Sequence, residues 1–198
     1  AWGPLRALAE RLDIPVATTF KAKGALPEDH PLSLGVFGPS GRPEVQEFLL
    51  GPETDLLFVV GSSLGEDSTC GFDARLGRKD SFLQLDVDPY MIGRNFPVDV
   101  ALTGDGGAVL TELLYEIERR LKSGWAAATP RVPMPPRAPA PALDAAADGP
   151  RGMSPRAVLG ELREALPRDA ALFVDNGSIR AWAGQHFPVY QEGCFFVN

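Results

Sequence analysis

Apolar and polar positions follow two periods along this chain. In residues 2–12, Leu5, Leu8, Ala9 and Leu12 recur at helical spacing, which predicts an amphipathic helix, and residues 14–20 then read as a buried strand. Residues 42–50 predict a second short helix, stopped by the Gly51-Pro52 breaker. The run DLLFVV at 55–60 is continuously apolar, as a parallel strand covered on both faces must be, and it ends in Gly61. Residues 81–87, SFLQLDV, and 98–102 repeat that theme. Residues 108–121 carry Val109, Leu113, Ile117 and Leu121 as the stripe of a longer helix. Strands alternating with helices predict an α/β fold: a Rossmann-like, three-layer domain with a parallel sheet over residues 1–122, its first strand expected before Ala1.

From 123 to 152 the composition shifts to Pro and Ala, a backbone of polyproline type that lacks internal hydrogen bonds and builds no core. This segment is expected to be a linker. Beyond it, over 153–198, Ser154 is expected to cap a helix with Pro155 at its first position and Val158, Leu159, Leu162 and Leu166 facing inward. A strand at 170–174, a DNGS turn, a helix at 179–187 and a strand at 194–197 come next, so a truncated second α/β unit is predicted. Opening without Met and closing in a strand-like CFFVN, the chain reads as cut from a longer protein.

The 198 residues are 44% hydrophobic with a formal net charge of −7, enough for a core and wrong in sign for nucleic acid or an anionic membrane surface. No apolar run approaches the roughly 20 residues that span a bilayer. Cys70 and Cys194 stand far apart, outside any CxxC spacing, which suits a reducing cytoplasm and argues against a disulfide framework or zinc knuckle.

Several short motifs carry candidate chemistry. GSSLG at 61–65 formally matches a nucleophile elbow presenting Ser63, but EDSTCGFDARLG does not begin the helix that such an elbow needs, and the only candidate bases are His30 and His186. Small residues at a strand's C-terminal end equally allow close approach of a ligand in an open α/β sheet. His30, in LPEDHP, reads as a turn or surface histidine. Asp67, Asp73, Asp86 and Asp88 do not match a calcium-loop spacing and are expected to be solvated or to cap, so no metal is assigned.

Four stretches together carry a resemblance: KGALPEDHPLSLGVFG, DLLFVVGSSLGE, LDVDPYMIGRNFPVDVALTGD and MSPRAVLGELREALPRDAALFVDNGSIRAWAGQHFP. They resemble, in order, the thiamine-diphosphate-dependent enzymes related to acetolactate synthase, over most of the family's central domain and the start of its diphosphate-binding domain. The resemblance implies a parent that uses thiamine diphosphate and Mg2+ on a small 2-keto acid, by decarboxylation or carboligation, as a cytoplasmic homodimer or homotetramer. It places the activating glutamate in a preceding domain. The family holds its metal with a GDG turn and an Asn further downstream; no Asn suitably succeeds Asp105, since the three are Asn95, Asn176 and Asn198. Asp105 is therefore expected to cap the next helix, and the chain alone to lack a complete active site.

Some relatives hold FAD or ADP in the central domain. The matching positions are Gly38 in the loop 38–41, Gly61, Ser62 and Ser63, and Asp86, whose carboxylate could accept a ribose hydroxyl. SSLGED stands where flavin-binding members carry an Arg-bearing segment, so an empty or vestigial crevice is expected at least as much as FAD or ADP; the alternative to the enzyme reading is a stand-alone nucleotide-binding or regulatory module. In the second unit Asn176, Gly177 and Ser178 resemble the family's first turn at the diphosphate. There Ser178 stands as either an anion donor or a plain helix cap.

Overall fold

The computed structural model describes residues 2–125, 134–135 and 154–198. The elements run α1 (Trp2–Leu12), β1 (Val16–Thr18), β2 (Ser33–Val36), α2 (Pro43–Leu50), β3 (Leu56–Val60), β4 (Ser81–Asp86), β5 (Val100–Thr103), α3 (Gly106–Lys122), α4 (Pro155–Ala165), β6 (Leu172–Val174), α5 (Ile179–His186) and β7 (Phe195–Val197). Every ladder is parallel: β1 with β2, β3 with β4 and β5, and β6 with β7. The α/β expectation is met. The segment read as a linker lies, apart from 123–125 and 134–135, outside the described residues.

Alternation along β3 shows why both faces of that sheet are apolar. Leu57 and Val59 join Phe82, Val45 and Leu50 in a core beneath α2, while Phe58 and Val60 turn to the other face, against Leu8 of α1 and Leu110 and Ile117 of α3. Three layers result. Helix α3 starts where the Asp105 carboxylate accepts the Ala108 N–H at 2.9 Å, and α4 where Ser154 Oγ accepts the Ala157 N–H at 3.1 Å, so both expected caps form.

The second unit does not stand apart. Phe20 and Val36 share a core with Leu159, Val174, Ala183, Phe187, Val189 and Phe195, and the Phe20 and Phe195 rings meet edge to face at 5.3 Å. The outer side of the β6–β7 ladder stays open, with Phe173 75% and Phe196 45% exposed and stacked on each other at 4.6 Å.

Helix α4 departs from the expected inward stripe. Leu159 is buried, but Val158 and Leu162 are exposed, and Arg163 goes inward in their place. Its guanidinium lies over the Phe187 and Tyr190 rings, at 5.0 and 5.2 Å, and donates to the Leu166 and Pro167 carbonyls. An arginine with an apolar stem, stacked and hydrogen-bonded, is a buried residue that period alone cannot announce.

Candidate functional site

Two turns stand at the C-terminal ends of parallel strands, where open α/β sheets take ligands. The first lies over β3, β4 and β5. Gly61, in a left-handed conformation at φ 62°, donates its N–H to the Leu85 carbonyl at 2.8 Å, and the Gly104 N–H reaches the Asp86 carbonyl at 3.1 Å. Gly61, Ser62, Ser63 and Asp86 are thus brought to one sheet edge.

Two carboxamides fasten this edge: Gln84, which no sequence motif marks, and Asn95, which closes the DVDPYMIGRN stretch. Gln84 is 1% exposed; its Nε2 donates to the carbonyls of Ser62 at 3.1 Å and Met91 at 3.2 Å, and its Oε1 accepts the Gly93 N–H at 3.0 Å. Asn95 Nδ2 donates to the Ser63 and Leu64 carbonyls, both at 3.0 Å. The polar residue inside the apolar SFLQLDV run was the available signal for Gln84, because a buried amide must find partners. The Asp86 carboxylate accepts the Asp88 N–H at 3.0 Å and so shapes its own loop.

Gly38 joins the same group of loops from the other side. At φ 114° it packs so tightly on the loop after β3 that a Cβ there would stand 2.6 Å from the Asp67 carbonyl oxygen. Ser63 is exposed, and the chain beyond it forms a 3-10 turn at Glu66–Ser68 in place of an α-helix. His30 Nε2 lies 3.0 Å from Glu10 and its Nδ1 accepts the Leu32 N–H, so it is a packed turn residue; the His186 ring lies tilted against Trp182 at 5.4 Å. Burial, then the neighbouring Arg156 and Lys23 charges, hold the His186 imidazole below its usual pKa. Neither histidine is bonded to Ser63, and the hydrolase arrangement does not assemble among the described residues.

The second turn lies at the end of β6. Asp175 Oδ1 accepts the Asn176 N–H at 2.7 Å, Gly177 adopts φ 116°, and the Arg180 N–H returns to the Gly177 carbonyl at 3.1 Å. All of residues 175–178 are exposed. Ser178 is already helical at φ −59° and its hydroxyl makes no cap bond, which differs from the capping alternative. The N–H groups of Gly177 and Ser178 and the Ser178 hydroxyl have no partner among the described residues, and a Cβ on Gly177 would meet nothing within 4 Å. Free donors at a helix start beside open space make a donor set suited to an anionic oxygen.

Among the described residues no three His, Cys, Asp or Glu side chains are grouped to hold a metal ion, and no helix is long and apolar enough to cross a membrane. Asp73 is bound by Arg75, whose hydrogen bonds hold its carboxyl down to about 2. The cysteines are free: Cys194 is buried, and burial with the nearby Asp73 pushes the Cys70 thiol up. A cavity of about 380 Å³, lined by Leu50, Thr54, Arg78 and Lys79 among others, opens at the opposite, N-terminal ends of β3 and β4.

Known proteins resemble this chain in sequence and fold. The family described as thiamine pyrophosphate enzyme, central domain, matches residues 1–113. An acetolactate synthase of Arthrospira platensis is 32% identical over 188 residues, covering 90% of this chain and 31% of the relative. A sulfoacetaldehyde acetyltransferase of Roseovarius nubinhibens is 31% identical over 205 residues, with 94% and 34% covered. In three dimensions the chain is similar, with a TM-score of 0.67 and 25% identity, to a crystal structure provisionally assigned as a thiamin diphosphate-dependent enzyme of Mycobacterium smegmatis, covering 100% of this chain and 36% of that one. The chain spans about a third of the length of the curated relatives it matches.

Proposed function

This chain belongs to the thiamine pyrophosphate enzymes related to acetolactate synthase, and from that premise we propose that it serves a decarboxylation or carboligation of a small 2-keto acid. In this reading residues 1–122 are the central scaffold and 153–198 begin the diphosphate-binding domain. The observation that carries it is the turn at Asn176, Gly177 and Ser178, whose donors, without partners among the described residues, lie beside open space at a strand end. Those donors fit the diphosphate end of the cofactor. When bound, thiamine diphosphate supplies the electron sink for the carbanion equivalent. Gly177 and Ser178 would hold its anionic oxygens, with Asn176 shaping the turn through Arg180. Mg2+ would be held by residues outside this chain, and an assembly of two or four copies accords with the family.

Gly61, Ser62, Ser63 and Asp86, with Gly38 behind them, form a crevice where FAD or ADP would lie. Ser62 Oγ accepts the Leu64 N–H, Asp86 Oδ1 accepts the Asp88 N–H, and the Ser62 and Ser63 carbonyls accept from Gln84 and Asn95, which favours a crevice held shut by its own loops. The test is a titration of the natural full-length protein with thiamine diphosphate and Mg2+, FAD and ADP in turn, each read by thermal unfolding. A ligand present at about 100 times its dissociation constant stabilises by about 2.7 kcal/mol. Stabilisation by thiamine diphosphate is expected. Its absence, or its persistence at wild-type affinity in Gly177→Val, would refute the assignment of the turn.

A further inference from the structure

Lys23 is 4% exposed, lies outside both candidate turns, and has every proton of its ammonium committed. Its Nζ donates to both carboxylate oxygens of Glu28 at 2.7 Å and to the Gly184 carbonyl, within α5, at 3.0 Å. Glu28 in turn grips Val189 twice: its Oε2 accepts the Val189 N–H at 2.7 Å and its own N–H donates to the Val189 carbonyl at 2.8 Å. A single ion pair on the loop between β1 and β2 therefore holds the end of α5 and the segment that leaves it.

Helix α5 begins directly after the turn. The turn has no burial of its own, so its place is set by β6 behind it and α5 ahead of it. With eight residues, α5 is about 12 Å long, short enough that a shift at Gly184 is carried to Ser178 as a rigid displacement. The same loop also meets the front of the helix, where the Arg180 guanidinium lies 5.2 Å over the Phe20 ring. Burial lowers the Lys23 pKa, with the Glu28 charge opposing it. A buried pair of this kind adds little net stability over an apolar replacement, and its better attested use is to fix one register.

We propose that Lys23 and Glu28 are positioning residues that hold α5, and through it the turn at 176–178, in the orientation the cofactor diphosphate requires. The proposal rests on the reading of that turn as part of the cofactor site. Lys23→Met combined with Glu28→Gln tests it, because both charges leave together and an amide oxygen remains for the Val189 N–H. Hydrogen exchange of this chain is expected to accelerate at least tenfold across Ile179–His186, while β3 at Leu56–Val60 keeps its protection. Unchanged exchange in α5, or an equal rise in β3, would overturn the proposal.

In the natural full-length protein the same double variant is expected to raise the dissociation constant for thiamine diphosphate at least tenfold. Gly177→Val run alongside separates the two ideas. If Gly177→Val weakens the cofactor and the double variant does not, the positioning role is wrong. If neither weakens it, the assignment of the turn falls first and takes the positioning role with it.

Discussion

Gly184 and Ser40 touch backbone to backbone: a Cβ on Gly184 would stand 2.2 Å from the Ser40 carbonyl oxygen. Glycine at this point of α5 lets the helix lie directly on the loop before α2, in the contact that Lys23 reinforces from the side. Gly184→Ala forces the two apart, since neither partner is a flexible side-chain tip. Overpacking of this kind costs about 1–3 kcal/mol, although Ala is the better helix former. Chemical unfolding should show that loss, and a variant as stable as the parent would mean that α5 can move without penalty.

At the C-terminal ends of β3, β4 and β5, Gln84→Leu keeps the volume and deletes three hydrogen bonds. The Ser62 and Met91 carbonyls and the Gly93 N–H would be left without their partner. Leaving such groups unsatisfied costs about 1–3 kcal/mol, so a lowered urea midpoint with an unchanged slope is expected. An unaltered midpoint would show that water replaces the amide and that the clamp is dispensable.

Much of this architecture was legible because it is local. The α1 stripe, the DLLFVV strand and the caps at Asp105 and Ser154 each depend on residues within a few positions of one another. Strand β2 escaped because SLGV is only four residues long and carries a glycine, without an alternation to read. Residues 14–20 shortened to Val16–Thr18 because a 3-10 turn claims Phe20–Ala22. The Lys23 and Glu28 pair was invisible for a different reason: its partners Gly184 and Val189 lie 161 positions further on, and no spacing rule reaches that far.

Gly177→Ala probes the turn more gently than Val, because φ 116° is a conformation that L side chains rarely adopt although space is open around the Cβ. A non-glycine residue there costs roughly 1–3 kcal/mol of strain. Weaker thiamine diphosphate binding with normal exchange protection in β3 is the expected result by calorimetry in the full-length protein. Equal binding would mean that the turn relaxes freely.

Acid dependence has a defined sign at Glu116. Hydrogen bonds from Arg119 and then Arg120 lower its carboxyl from 4.5 to about 2. A depressed carboxylate contributes stability that is present above its unfolded value near 4.5 and disappears as the pH falls through about 2. The group is exposed, so the effect is small and screened. A carboxyl carbon titration at low ionic strength should find the low value, and about 1 M salt, with a Debye length near 3 Å, should move it back up. A midpoint at the ordinary value in low salt would show that the arginines do not hold it in solution.

The edge-to-face contact of Phe20 with Phe195 joins positions near the two ends of the chain. During synthesis at about 5–20 residues per second, Phe20 waits on the order of 10–30 s before its partner leaves the ribosome. Among the described residues, the core beneath α1 and α3 draws on positions up to Leu121 and can close in that interval. The face formed by Phe20 and Val36 cannot, so the nascent chain carries a bare apolar surface until β7 emerges, and that surface is where a chaperone would find it.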